Sequence, residues 1–265
     1  MRTPANRAAV INALFEIGAE GVQELDDDIL THFRDIDQSR VAAALRRVDA
    51  RARVEYEATP AVDWSAEWRS RIAAHRLGRL VVTPPWLAGR FAASERIVIE
   101  PAMAFGTGEH ESTRGVLRLM QHVIRAGDVV ADLGAGSAVL AIAAAKLGAR
   151  RVLAIELDQD AISNAEENVA TNGVVEMVSV VQGDAFALLP LVAPVRVVLA
   201  NIVSSVLKEL MPTVADTLTS DGAAIIGGIL ADEKEEMKSA LQSGGWAITE
   251  TDEEGIWWSA TVARL

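Results

Sequence analysis

The sequence predicts an α/β protein: a mostly parallel sheet with helices on both faces, an antiparallel hairpin at one edge, and a small α+β unit ahead of it. Three observations carry this. From residue 128 onward, short apolar runs rich in Val, Ile and Leu alternate with segments of helical periodicity, the pattern of strand–helix–strand units. Residues 128–140, Asp-Val-Val-Ala-Asp-Leu-Gly-Ala-Gly-Ser-Ala-Val-Leu, read as a buried strand, a turn at Gly134 and Gly136, and a helix opening at Ser137. The last two apolar runs, 246–249 and 256–263, lie too close together for a helical crossover and read as a hairpin. The result is a Rossmann-like sheet with an antiparallel C-terminal hairpin.

Residues 1–58 form the small unit. Ala8, Val10, Ile11, Leu14, Phe15 and Ile17 recur at helical spacing, and Gly18 with Gly21 ends that helix. Strands follow at 22–25 and 29–33 around the turn Asp26–Asp28, then a helix with Val41, Leu45 and Val48, capped by Asp37 or Ser39. Val54 to Glu57 reads as a closing strand. The order helix, strand, strand, helix, strand is that of a ferredoxin-like unit without its opening strand.

Residues 59–95 read as a linker helix and connecting segment, with a hinge at Thr59–Asp63 and Trp64, Trp68, Ile72 and Leu77 along one helix. Residues 96–265 are expected to form the main domain. Strands are predicted at 80–83 and 97–100, and a helix from Glu111 or Ser112 to about Ile124. Beyond them, strands are expected at 129–133, 152–156, 177–181, 196–200 and 223–227, with helices at 137–147, 160–171, 204–218 and 231–243. The helix over 138–147 is apolar almost all round, as one lying on the sheet centre should be, and the next buries Ile162, Ala165 and Val169. Only a short connection holding Leu188, Leu189 and Pro190 joins the third and fourth of these strands.

The formal charge of −12 argues against a broad nucleic-acid surface and favours a basic protein as partner through steering. With no cysteine, disulfides, thiolate metal sites and a cysteine nucleophile are excluded. The four histidines show no ligand spacing, and His110, between Glu109 and Glu111, reads as a surface or supporting histidine. No metal site is expected. No signal peptide and no run of about 18 apolar residues is present, so a cytoplasmic protein without membrane contact, acting as a monomer, is expected.

Ligands of an open parallel sheet bind beyond the carboxyl ends of its strands. Those ends present Asp132, Glu156, Asp184 and Asn201, which should face one crevice. Glu156 comes twenty residues after Gly136, the spacing of an acid that grips both ribose hydroxyls. Asp184 is placed to receive an adenine amino group, with Phe186 nearby. Asp132, two residues before Gly134, would repel a pyrophosphate but suit a ligand carrying an ammonium and a sulfonium, as S-adenosylmethionine does. A nicotinamide site calls for a third glycine where Val139 stands. Asn201, facing the donor's methyl group, suits a nitrogen acceptor.

Three stretches carry a resemblance: Ala-Phe-Gly-Thr-Gly-Glu-His-Glu-Ser-Thr at 104–113, Val-Ala-Asp-Leu-Gly-Ala-Gly-Ser-Ala-Val-Leu-Ala-Ile-Ala-Ala at 130–144, and Asn-Ile-Val at 201–203. From residue 63 to the C-terminus the chain resembles the bacterial ribosomal protein L11 lysine methyltransferases, S-adenosylmethionine-dependent enzymes of the class I methyltransferase fold. The resemblance implies that the 104–113 stretch closes over the donor, with Thr107 and Thr113 helping to hold it. It carries over Gly134, Glu156 and Asn201 as donor contacts and Trp257 as a residue near the site. It also implies that the N-terminal unit recognises the ribosomal protein. Ala138 stands where the family usually has glycine, and Glu156 where Asp is more frequent.

The expected activity is transfer of methyl groups to lysine ε-amines, and to an α-amine, of a large-subunit ribosomal protein, with Asn201 and Thr107 as catalytic residues. Cofactor contacts are expected from Thr113, Gly134, Gly136, Glu156, Asp132, Asp184 and Asn201. Three other readings stay open: a different protein or a small amine as acceptor, a donor-binding module without turnover, and an NAD-dependent oxidoreductase.

Overall fold

A computed structural model of the chain describes residues 7–25, 28–33, 37–57, 72–100 and 110–265. The chain divides into two compact units, residues 1–63 and 64–265.

In the small unit, α1 (Arg7–Glu16) is followed by β1 (Gly21–Glu24), β2 (Ile29–His32) and α2 (Gln38–Val48). The strands form an antiparallel hairpin with Gly21 opposite His32. Leu14, Val41 and Leu45 make its core. Gly18, at φ +100°, ends α1 in a conformation glycine adopts without strain. Asp37 caps α2 by accepting from the Ser39 amide at 2.8 Å. The expected closing strand over 54–57 is not formed. The segment is extended, and its alternation is satisfied by packing instead of pairing: Ala52 and Val54 lie against the small core while Glu55, Tyr56 and Glu57 face outward.

The second unit opens with β3 (His75–Leu77), β4 (Leu80–Thr83) and β5 (Arg96–Val98), β3 antiparallel and β5 parallel to β4. Leu77 therefore lies in a strand and not on the helix expected to share it with Trp64, Trp68 and Ile72; residues 64 and 68 are outside those described. Leu77, Leu80, Val82 and Ile97 join the main core, so part of the segment read as a connection belongs to the body of this unit.

The main sheet has seven strands: β6 (Val129–Leu133), β7 (Arg151–Glu156), β8 (Val178–Gln182), β9 (Val195–Asn201), β10 (Leu218–Leu230), β11 (Trp246–Glu254) and β12 (Trp257–Arg264). Their order is β11-β12-β10-β9-β6-β7-β8. The five strands from β6 to β10 pair in parallel, and β12 pairs antiparallel with both β10 and β11, so the hairpin sits at one edge as expected. Helices α3 (Glu111–Val123), α4 (Val139–Lys146) and α5 (Gln159–Thr171) lie between or before the first strands. A short helix, α6 (Ala185–Leu188), then α7 (Ser204–Thr217) and α8 (Lys234–Ser243) complete the unit.

Alternate side chains of the strands enter two cores, one on each face: Val130, Val197, Leu199 and Ile225 in one, Ala131, Leu133, Val198 and Ile226 in the other. Seven of the eight residues of α4 are buried, from Val139 to Ala145, which accounts for its lack of a polar face. It opens at Val139, two residues later than expected, because Ala138 is left-handed at φ +64°.

On α5 the buried face is Ala161, Ala165, Asn168 and Val169, with Ile162 only partly covered. Asn168 holds three segments together: its Oδ1 accepts from the Glu100 amide at 3.0 Å, and its Nδ2 donates to the Ser137 carbonyl at 3.1 Å. Asn168→Ala would remove both of these hydrogen bonds. We expect a loss of about 2–3 kcal/mol and a fall of roughly 5–10 °C in Tm, read by thermal denaturation.

Candidate functional site

The chain runs outward from β6 through β7 to β8, then returns to place β9 on the other side of β6. Strand order reverses there, and connections leave in opposite directions, opening a crevice at the carboxyl ends. A cavity of about 740 Å³ occupies it, within the range of small-molecule sites. Gly134, Glu156, Asp184, Asn201, Thr113, His110 and Trp257 all line it.

The turn after β6 shapes the floor. Gly134 and Gly136 have φ of +69° and +51°, and a Cβ on Gly134 would come within 2.5 Å of Ile202 Cγ2. Ala138 follows at φ +64°, the only non-glycine residue with positive φ among those described. A side chain held there costs about 1–2 kcal/mol.

Glu156 is fixed at both oxygens by backbone amides: Oε2 accepts from Gly136 at 2.7 Å and Oε1 from Asp158 at 2.9 Å. Each oxygen keeps a second lone pair for a hydroxyl in the cavity. Asp184 caps α6 by accepting from the Phe186 amide at 2.9 Å. It is exposed and, like Phe186, lines the cavity.

Asn201 ends β9, and its Nδ2 donates to Thr113 Oγ1 at 3.0 Å. Its Oδ1 is buried and has no hydrogen-bond partner among the described residues. Asn201 lines the cavity, and its unmatched oxygen lies just behind that wall, beside Gly227; a buried polar atom without a partner calls for an explanation.

His110 precedes α3, with Nδ1 2.8 Å from Ser112 Oγ and its ring edge-on to Trp257 at a centroid distance of 4.7 Å. Burial holds its pKa below the usual histidine value, against the pull of Glu111 and with a smaller push from Arg114, so the ring is neutral at physiological pH.

Asp132 is placed otherwise than expected. It is fully buried beneath the glycine turn and does not line the cavity; its Oδ2 accepts from the Ala141 amide at 2.9 Å, while Oδ1 has no partner among the described residues. Burial pushes its pKa up to about 7, with the Ala141 bond opposing and the Glu156 charge adding to the rise. The carboxyl serves the helix N-terminus next to it, and the chain has turned it inward at the last residue but one of the strand. Thr107 lies outside the described residues. His110, read from the sequence as a supporting histidine, is itself a cavity wall; its place in the 104–113 stretch was the signal for it.

The family model described as ribosomal protein L11 methyltransferase matches residues 8–264. The chain belongs to the ribosomal protein L11 methyltransferase family. It is 40% identical to the L11 methyltransferase of Pelotomaculum thermopropionicum over 77% of its own length and 66% of that protein's, just under two thirds of the relative. It is 31% identical to that of Caldicellulosiruptor bescii, over 94% of its own length and 92% of that protein's. The crystal structure of a ribosomal protein L11 methylase from Lactobacillus delbrueckii subsp. bulgaricus superposes with a TM-score of 0.66, 28% identity, over 73% of this chain and 99% of that one.

Membership gives the chain the fold of the class I methyltransferases, whose methyl donor is S-adenosylmethionine. The residues present fit that group. The φ and lack of side chain at Gly134 leave room on the floor, Glu156 offers two oxygens held at fixed angles, and Asn201, which lines the cavity, carries a buried acceptor without a partner among the described residues.

Two outcomes are expected. Ala138→Gly, by relieving the left-handed alanine, should raise stability by about 0.5–1 kcal/mol, measured by urea denaturation. Asp132 has a folded pKa above its unfolded value, so its contribution to stability is complete below about pH 4 and is lost as pH rises through 7. The unliganded protein should therefore lose stability between about pH 4 and pH 7, and Asp132→Asn should flatten that slope. Melting curves across this range decide it; an unchanged slope in the variant would assign the effect elsewhere.

Proposed function

We propose that the protein transfers methyl groups from S-adenosylmethionine to lysine ε-amino groups, and to an N-terminal α-amino group, of ribosomal protein L11. The observation that carries the reading is the unpartnered Asn201 Oδ1 at the strand-order reversal, tied to Thr113 on the helix opposite. Bound in the cavity, the donor supplies a methyl group on a positively charged sulfur.

The chain's own residues bind, orient and exclude water. Glu156 holds the ribose hydroxyls and Asp184 the adenine amino group, while Gly134 and Gly136 let the backbone approach the amino-acid end. Thr107 and Thr113 come from the family stretch. Asn201 Oδ1 accepts an N–H of the incoming amine and so aims its lone pair, and Thr113 keeps the amide from turning. Ile202, Val206 and Leu210 make part of the wall apolar, and a lysine desolvated there is favoured in its neutral, nucleophilic form. Placement then supplies most of the rate.

The net charge of −12 supports a basic protein as partner and speaks against direct nucleic-acid contact. Among the described residues no helix is long and apolar enough to cross a membrane. We read the enzyme as a cytoplasmic monomer. Its small unit, residues 1–58 in this reading, recognises the ribosomal protein; that unit leaves Phe15, Leu25 and Leu30 exposed to a partner.

Purified protein given labelled donor and L11 should methylate lysines of L11, located by mass spectrometry. Labelled donor with no transfer to L11 would sink the proposal. Asn201→Ala should lower kcat by about 10–100-fold while changing S-adenosylhomocysteine affinity by less than threefold, checked by steady-state kinetics and calorimetry. An equal loss in both would reduce Asn201 to a donor contact.

A further inference from the structure

Helix α3 lies against the outer strand β11, and the two run in opposite directions. Four helical residues advance about 6 Å and two strand residues about 6.6 Å. A cation at every fourth helix position can thus face a carboxylate at every second strand position. The chain fills that pattern with Arg114, Arg118 and His122 on one side and Glu254, Asp252 and Glu250 on the other.

Arg114 Nε donates to Glu254 Oε1 at 2.9 Å. Arg118 grips Asp252 through both Nε, at 2.7 Å to Oδ2, and Nη2, at 2.5 Å to Oδ1, and also reaches Glu254 Oε2 at 2.7 Å. His122 Nδ1 lies 2.9 Å from Glu250 Oε1. The rungs are graded: the Arg114 side chain is 13% exposed, that of His122 65%. Bidentate, partly buried pairs are geometrically demanding, whereas exposed ones contribute little. The strong end of the ladder is the end nearest the cavity.

One turn before Arg114 on the helix is His110; three residues beyond Glu254, past Gly255, is Trp257. Gly255 packs beneath Glu111, whose carboxylate a Cβ there would strike. None of Arg114, Arg118, Asp252 and Glu254 lines the cavity, yet both residues they bracket do.

We propose that the pairs Arg114–Glu254 and Arg118–Asp252 are positioning residues for methyl transfer, fixing α3 against the β11–β12 hairpin and so setting the His110–Trp257 wall beside Thr113 and Asn201. The inference rests on the reading of Asn201 as the residue that aims the acceptor. A wall displaced by a fraction of an ångström misplaces the amine without touching the donor's contacts.

The test uses the full chain with Glu254→Gln, and Glu250→Gln at the far rung as control. With four histidines in the sequence, the ring protons of His110 can be assigned by its loss in His110→Gln and followed by NMR, where Trp257 displaces them through its ring current. Glu254→Gln should shrink that displacement, lower kcat for L11 about tenfold, and leave S-adenosylhomocysteine affinity within twofold; Glu254→Asp should recover part of both. Glu250→Gln should change none of these. Should Glu254→Gln fail to fold, Arg118→Lys, which keeps the charge but not the bidentate grip, takes its place. An unmoved His110 signal in the Glu254 or Arg118 variant, or equal effects from Glu250→Gln, overturns the proposal. Absence of L11 methylation by the wild type counts against the proposed function, and the NMR comparison still decides the ladder.

Discussion

The reversal of strand order beside β6 is the constraint on which the rest of this molecule depends. With β7 and β8 on one side and β9 on the other, the connections after β6 and β9 diverge, and no side chain has to be removed to make a cavity. The glycine turn closes its floor, the end of β9 places Asn201 on its wall, and α3 brings Thr113 to the other side of the same amide. Three separate segments thus meet through backbone topology, before any one interaction between their side chains is counted.

Electrostatics enters differently from what a row of acids at strand ends implies. Glu156 and Asp184 are indeed at the cavity, but each already accepts from backbone amides, so they act as fixed acceptors more than as a negative field. Asp132 is withdrawn altogether, and its raised pKa leaves it charged only part of the time near neutral pH. In the proposed function the group that meets the incoming amine is neutral: the amide carbonyl oxygen of Asn201, buried and unmatched. A neutral acceptor binds an amine without holding it protonated, whereas a carboxylate in the same place would favour the unreactive ammonium form.

Periodicity made most of the second unit legible, because parallel strands covered on both faces are nearly all apolar while most of the helices covering them keep a polar face. The strands β6 to β9 and the helices between them fall within a residue or two of where the pattern puts them. Strand ends were legible as a set of candidates, but which way each side chain turns was not. Residues two apart on a strand share a face, so position alone does not separate Asp132, which turns under the helix, from a residue that opens on the crevice. Val54 shows a second limit: alternation marks a face that packs, and packing does not require a ladder partner. Leu77 shows a third, since an apolar residue five positions after Ile72 fits a strand better than the helix face it was assigned to, even when the strand is three residues long. The conformation of Ala138 was hidden for a simpler reason, that the residue seen was not the glycine its φ calls for.

The pairing of α3 with β11 joins these threads. Neither element looks functional alone: the helix carries basic residues at i, i+4 and i+8, and the strand carries acids at alternate positions, each pattern that of a solvated face. Only the near-equality of four helical steps and two strand steps turns the two faces into one interlocking edge. That edge lies outside the cavity, but it joins His110, at the cap of α3, to Trp257, at the start of β12, the two rings of the wall. An outer hairpin strand at the sheet's edge, which in isolation would be free to shift, is thereby registered against the helix whose first turn holds Asn201. The geometry at the reacting end is then set by ion pairs on the molecule's flank as well as by the residues that touch the substrate.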